Sequence, residues 1–375
     1  MVRVLHITEM LQAAGIESYI MNTYRHINRE EIQFDFLVTR NVEEYYDQEI
    51  AEMGGCKFVI DFTECSSVFL RVLKESIALE KMLKNSSYNV IHVHSGTPLR
   101  IFYLFAAKRA GVRTRIYHSH SAKVTGPHKL LHVKRAVFEM LKQFFPWCAT
   151  DYFACSELAG QWMFPRRIQD KVRIIHNGID TEKFRYNPEV EREYRKKLNL
   201  ENNFVIGHIG RFNDQKNHTF LLDIFKEVAE RNEDARLLLI GEGELEEQIK
   251  EKIHRLNLEQ KVLLLGVRRD VAQLFQVMNV FVLPSNYEGL PVVGIEAQAS
   301  GNLCLLSDQV TPETVITPNV KLLSIKSTDI WVREIEKAKS FQKTDTSELI
   351  RKHGYDIKDS VRRMEKFYKS RGKVE

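Results

Sequence analysis

Short apolar runs recur along the chain, each followed by a stretch in which apolar positions return every three or four residues. In the first half the runs are Val2–Thr8, Phe34–Val38, Lys57–Ile60, Val90–His94, Arg115–His118, Tyr152–Cys155 and Val172–Ile175. They are rich in Val and Ile and continuous rather than alternating, the pattern of strands buried on both faces of a parallel sheet. Amphipathic segments such as Ile16–Ile27, Val68–Leu83 and Pro98–Ala110 lie between them. After a turn-rich break at His176-Asn177-Gly178-Ile179-Asp180 and a charged helical stretch, Val190–Lys197, the rhythm restarts. Strands are expected at Phe204–Ile209, Arg236–Ile240, Val262–Leu265, Val280–Leu283 and Leu303–Leu306, and the last pattern, Ile357–Ser370, is helical. Alternation of this kind predicts two similar doubly wound α/β domains, 1–178 and 179–354, with the closing segment 355–375 packing back on the first and a cleft between the two.

At 375 residues and 43% hydrophobic content the chain is long enough for two cores. It has no apolar stretch of membrane-spanning length, and its first residues carry no signal-peptide pattern. Five cysteines without metal or redox spacing read as reduced thiols, so a cytoplasmic protein is expected. A net charge of +5 hides an asymmetry: from Lys81 to Phe138 there are eleven Lys or Arg residues and no acidic one. That field suits a phosphorylated substrate or an anionic lipid surface, and nucleic acid is set aside because no reader motif accompanies it.

Candidate chemistry gathers in the loops that follow the later strands, where ligands of such sheets bind. Glu288 lies in the turn after Val280–Leu283, and Glu296 falls just over a turn into the next helix, past Pro291, a residue suited to a first helical position. Between the two carboxylates the N–H groups of Gly289 and Leu290 are placed at a helix N-terminus. Carboxylates accept from hydroxyls and a helix N-terminus attracts phosphate, so a sugar nucleotide fits. Arg211 and Lys216, in the loop after Phe204–Ile209, offer a guanidinium fork and a mobile ammonium to an anion bound beside that turn; singly, each would read as a surface cation at a helix start. Gly241 and Gly266 close two further strands and allow close approach of a ligand, or simply a turn.

Taken in order, Gly210-Arg211-Phe212 with Lys216, Gly241-Glu242-Gly243, Gly266, and Glu288-Gly289-Leu290-Pro291 through Glu296 resemble the family 4 retaining glycosyltransferases. In the first half Ile91-His92-Val93-His94, Tyr117-His118-Ser119-His120 and His176-Asn177-Gly178 extend the resemblance over essentially the whole chain. The bacterial members that build capsular, exopolysaccharide or lipopolysaccharide units are the most similar. The resemblance implies a GT-B fold, two Rossmann-like domains facing across a cleft. It implies that Arg211 and Lys216 hold donor phosphates, that Glu296 holds the ribose, and that Glu288 contacts the transferred sugar. The backbone of Gly289 and Leu290 would cover sugar and phosphate, and the main chain at Val267 and Arg268 would meet the base. Gly15 would face the donor phosphate from the first domain, where Ala14 replaces a first glycine. His118, ending a strand, would hydrogen-bond the reacting sugar.

His92, His94, His118 and His120 form two His-x-His pairs, each on one strand face, which raises zinc. No third ligand set is evident in the sequence and there is no Asp-x-Asp motif, so the expectation is no cofactor and a metal-independent transfer. His128–Trp147 mixes cations with bulky apolar residues, as an interfacial helix does. The expected partners are therefore a nucleoside diphosphate sugar (UDP first), a lipid-linked or other saccharide acceptor, and the anionic inner face of the membrane, met by the Lys81–Trp147 region. The rival readings are a UDP-N-acetylglucosamine epimerase of the same fold and a non-catalytic sugar-nucleotide-binding subunit.

Overall fold

A computed structural model of the protein describes residues 1–12, 15–121 and 131–372. The chain divides into two compact units, Met1–Gly178 with Ile357–Glu375, and Ile179–Asp356. Tyr355 is buried in the core of the second unit, and a parallel bridge joins Ile179 to Asp356, so these two residues stay with that unit rather than with the closing helix.

The first unit holds seven strands: β1 (Val2–Ile7), β2 (Ile32–Val38), β3 (Lys57–Val59), β4 (Val90–Ser95), β5 (Thr114–Ser119), β6 (Asp151–Ala154) and β7 (Val172–Ile174). Every pairing is parallel and the order is β3-β2-β1-β4-β5-β6-β7. Because successive side chains alternate faces, Leu5 and Ile7 of β1 enter one core, with Ile91, Val93 and Tyr117. Val4 enters the other core, against Ile20, Tyr24 and the closing helix Ile357–Gly372, which buries Val361, Met364, Phe367 and Tyr368 there.

The second unit repeats the order with β8 (Phe204–Ile209), β9 (Ala235–Ile240), β10 (Val262–Leu264), β11 (Val280–Leu283), β12 (Leu303–Ser307) and β13 (Val320–Leu323), arranged β10-β9-β8-β11-β12-β13. In each sheet the strand order reverses direction once, between β1 and β4 and between β8 and β11. At that point the loops part and leave a crevice at the carboxyl ends of the strands.

Two local expectations change. Pro291 is the N-cap of the helix Val292–Ala299 rather than its first residue. The segment expected as one helix over His128–Trp147 is a helix Leu131–Lys142 and a short one Phe145–Cys148, and positions 128–130 lie outside the described residues.

Candidate functional site

The loops after β8 and β11 flank the reversal point of the second sheet and are tied to each other. Asn286 donates from its backbone N–H to Gln215 O (2.8 Å) and from its side chain to Asp214 O (2.7 Å). Asn217, in the left-handed region at φ 56°, donates from its side chain to Pro284 O at 3.2 Å. These bonds bring Lys216 Nζ to 2.6 Å from Glu288 Oε1. Gln215 Nε2 donates to Glu288 Oε2 and Ser285 Oγ to Oε1, both at 2.9 Å. Glu288 is therefore a nearly buried carboxylate with one cation and two neutral donors. Gln215 and Ser285, the neutral ones, were not singled out from the sequence, though Gln215 adjoins Lys216 and Ser285 lies two residues beyond the strand Val280–Leu283.

The backbone N–H groups of Gly289 and Leu290 have no partner among the described residues. Glu296 is partly buried and its carboxylate makes no hydrogen bond there. Burial pushes that carboxyl up to about 7, and Lys183 alone counters it. The two carboxylates are thus dissimilar: Glu288 is fully engaged, Glu296 unengaged.

Glycine is required where the strand ends close up. Gly241 sits at φ 136°, and a Cβ there would lie 2.2 Å from Gly210 O. Its N–H bonds Gly266 O at 2.9 Å, while Gly210 N–H bonds Ile240 O at 3.0 Å and Phe212 N–H bonds Glu242 O at 2.8 Å. The other cations lie apart from Glu288. Arg211 is exposed and pairs with Glu244 at 3.3 Å. Arg268 makes a two-pronged contact with Asp270 at 2.8 and 2.6 Å, beside an exposed Val267.

Gly15 and His118 belong to the first unit. Gly15 is the exposed first residue of the helix Gly15–His26. Residues 13 and 14, and with them the Ala14 substitution, lie outside the described residues. His118 is wholly buried, not at an open strand end as expected for a sugar contact. It stands in a group of five imidazoles on the face covered by the closing helix: His6 on β1, His92 and His94 on β4, His118 on β5 and His120 just beyond it. Parallel pairing sets His6 beside His92, and His94 beside His118. Burial pushes all five far below the ordinary imidazole value, His6 and His120 to about 3. The sequence pairs thus gain a further member in His6, which no spacing could indicate because it comes from a strand far earlier in the chain.

The basic segment also differs from a uniform field. Arg115 donates to the carbonyls of Cys148 and Val112, and Arg109 and Lys84 both pair with Glu80. Lys142 is buried against Trp162 and paired with Glu139. Phe138, Leu141 and Phe145 face the core, but Val133, Met140 and Trp147 are 63%, 57% and 60% exposed. Val68, Phe69 and Leu70, at the start of the helix Val68–Lys84, are exposed as well, with Phe69 against Phe102.

Two like-ordered parallel sheets, with acid, base and glycine loops at the reversal point of the second, have the architecture of the GT-B glycosyltransferases. The sequence comparisons agree: residues 13–183 match the model for Glycosyltransferase Family 4 and residues 190–355 that for Glycosyl transferases group 1. The chain belongs to the family 4 glycosyltransferases. It is 33% identical over 373 residues to EpsF of Bacillus subtilis (strain 168), covering 96% of this chain and 94% of EpsF. It is 27% identical over 318 residues to the Escherichia coli UDP-Gal:alpha-D-GlcNAc-diphosphoundecaprenol alpha-1,3-galactosyltransferase, covering 82% and 79% of the two chains. Among solved structures, Anabaena Alr3699/HepE in complex with UDP and glucose superposes with a TM-score of 0.78 at 17% identity, over 99% of this chain and 100% of that one, a likeness of fold.

Proposed function

We propose that the protein is a retaining glycosyltransferase of surface-polysaccharide assembly that moves a sugar from a nucleoside diphosphate sugar, a UDP-sugar first, to a hydroxyl of a lipid-linked saccharide. One observation carries the reading: the Lys216–Glu288 pair at the reversal point of the second sheet, adjoining the unpartnered N–H groups of Gly289 and Leu290. A diphosphate brought next to a carboxylate would be repelled; with Lys216 between them the two anions share one cation. The free N–H groups and a turning Arg211 supply the remaining donors to the leaving diphosphate. Glu288, held by Gln215 and Ser285, accepts from a hydroxyl of the sugar. Glu296 accepts from the ribose, and the main chain at Val267 and Arg268 meets the base with Gly241 leaving room.

In the transfer, the bond from the anomeric carbon to the diphosphate oxygen breaks and the acceptor oxygen bonds the same face. The acceptor proton passes to a non-bridging oxygen of the departing diphosphate, so neither a protein base nor a cofactor takes part in the step. His118, being buried, acts in this scheme by supporting the end of β5 rather than by touching the sugar. The named substrates of the Escherichia coli relative, and the UDP and UDP-glucose complexes of HepE, support the choice of donor and acceptor class.

No helix of the described residues is long and apolar enough to cross a membrane. The exposed Val133, Met140 and Trp147, with Val68, Phe69 and Leu70 on the same unit and the cations of the Lys81–Trp147 region, form our proposed seat for an anionic inner-leaflet surface, a cytoplasmic, peripheral placement.

A thermal-shift screen of UDP, GDP, ADP and their sugars, followed by transfer to a diphosphate-linked saccharide and determination of the product anomer, tests the proposal. An inverted product would overturn retention. Conversion of the donor without any acceptor would favour the epimerase reading.

A further inference from the structure

The four buried histidines of the first unit and the half-buried His120 are incompletely satisfied by one another. His6 Nδ1 lies 2.9 Å from His94 Nε2, and His94 Nδ1 lies 3.0 Å from His120 Nε2. His92 Nε2 lies 3.2 Å from His118 Nδ1, and His92 Nδ1 lies 2.7 Å from the Tyr368 hydroxyl. A neutral imidazole has one N–H and one lone pair. Whichever way the protons run along His6–His94–His120, one end therefore keeps an unused N–H and the other an unused lone pair. Those ends, His6 Nε2 and His120 Nδ1, are buried without partners, and so are His118 Nε2 and the hydroxyl of Tyr19. Each such group ordinarily costs about 1–3 kcal/mol. Two of the four, His118 Nε2 and the Tyr19 hydroxyl, are groups that a bound ion and its water would satisfy.

One ring nitrogen from each of His94, His118 and His120 lies within 4.8 Å of the other two. We infer that these three histidines hold a divalent transition-metal ion, zinc by preference, in a site separate from the donor loops. Three neutral imidazoles with no carboxylate suit zinc and its neighbours and do not suit magnesium or calcium. The nitrogens of His94 and His120 that face each other at 3.0 Å need to part only slightly, since two ligands of a tetrahedral zinc stand about 3.3 Å apart at ordinary Zn–N lengths.

For His94 and His118 the surrounding contacts become an outer shell of the usual kind, in which a ligand donates its second N–H. His94 Nε2–H donates to His6 Nδ1. His118 Nδ1–H donates to His92 Nε2, and His92 Nδ1–H donates to Tyr368 on the closing helix. The unpartnered His118 Nε2 becomes a ligand. A water in the fourth position would give the Tyr19 hydroxyl a partner; its ring stands edge-on to His118 at 5.2 Å and lies 5.7 Å from His120. The ion would pin the end of β4 to the end of β5, one strand from the reversal point of the first sheet. The inference rests on the histidine geometry alone, independently of the proposed transfer reaction.

The test uses the untagged full chain, stripped with chelator and titrated with Co²⁺ and then Zn²⁺. The expected result is one tight equivalent, visible d–d bands of a low-coordinate cobalt–nitrogen site that zinc abolishes, and a melting temperature raised by about 5–10 °C for the first unit at a hundredfold excess over Kd. His94→Ala and His120→Ala should each lose the bands and the shift, while His26→Ala, an exposed position, should keep both. Should the variants fail to fold, the wild-type titration still decides. Absence of a saturable single equivalent, or bands that survive in folded His94→Ala, would overturn the site.

Discussion

Replacing Lys216 by Met separates the roles of its ion pair. Glu288 is almost fully buried and accepts from Lys216 at 2.6 Å and from Gln215 and Ser285 at 2.9 Å. Without the ammonium the carboxylate keeps only neutral donors. Breaking a buried pair by removing one partner costs about 3–5 kcal/mol when nothing else compensates, and a hydrogen bond to a charged group is worth about 1.5–3. With two donors left and some solvent reach, about 2–3 kcal/mol is expected for Lys216→Met. Glu288→Gln leaves an ammonium that water can still reach, at about 1–2 kcal/mol. In Lys216→Met/Glu288→Gln no charge is stranded, so most of the loss should return, a coupling of about 2 kcal/mol. A chain of two units can melt in two steps, and the step raised by UDP reports the second unit.

Transfer should behave differently. Both side chains are proposed to touch the donor, so each single variant should lower kcat/KM by about 10- to 150-fold, the equivalent of one charge-assisted contact. The double variant should recover stability but not transfer. Recovery of both would make the pair a structural clamp and refute the proposed site, as would an unimpaired Lys216→Met.

Glu296 titrates against the usual direction for a carboxylate. Its folded-state value stands at about 7 against an ordinary 4.5, so the folded chain binds the proton more tightly. Its contribution to stability is therefore present below pH 4.5 and is lost as pH rises to 7. Glu296→Gln should be more stable than wild type above pH 7, by up to about 3 kcal/mol, with no difference below pH 4.5. Its donor KM should be high and flat with pH, whereas the wild-type KM should rise as pH falls below 7; chemical denaturation and initial rates across pH check both. Gly241→Ala should cost at least about 3 kcal/mol, lowering the melting temperature of the second unit by roughly 6–12 °C, because its Cβ would meet Gly210 O at 2.2 Å. Gly266→Ala, at φ 62° with open space around it, should cost only about 1 kcal/mol, and equal losses would undo the close-packing account. Met140→Ser/Trp147→Ser should release the protein from anionic vesicles in co-sedimentation at physiological salt without lowering its melting temperature. Failure of the wild type to bind would end the membrane proposal.

Much of this architecture was legible because parallel strands buried on both faces leave an uninterrupted apolar signature. The runs at Val2, Val90, Phe204 and Val280 all became strands. Val320–Leu323 was missed: a short edge strand carrying Lys321 and following Pro318-Asn319, it has no second buried face to declare it. The donor loops were legible as residue types at strand ends, but the partners of those residues were not. Lys216 reaches Glu288 from 72 residues away, a distance fixed by sheet order, while Arg211, of equal promise in the sequence, turned to Glu244. His6 joined the histidine pairs for the same reason: β1 neighbours β4 only once the sheet exists. His118 does not end its strand, since β5 runs on to Ser119, and its side chain is wholly buried on the face covered by the closing helix.

The second sheet carries an argument about function that does not depend on any relative. Among the described residues other than glycine, φ is positive at Asn199, Asn217 and Asn257. Asn199 and Asn257 directly follow helix C-caps, where the left-handed conformation is ordinary. Asn217 does the same for the short 3-10 turn Asp214–Lys216 that presents Lys216, and it also opens the helix His218–Arg231. The same strand-end region holds Gly241 pressed against Gly210, two N–H groups without acceptors, and a carboxylate whose burial opposes its charge. Each feature costs stability, and a chain selected for stability alone would have no reason to gather them at one reversal point. A ligand that supplied an anion to the N–H groups and hydroxyls to the carboxylate would relieve them together, which supports the proposed donor, a polyhydroxylated phosphate ester held before the reaction begins.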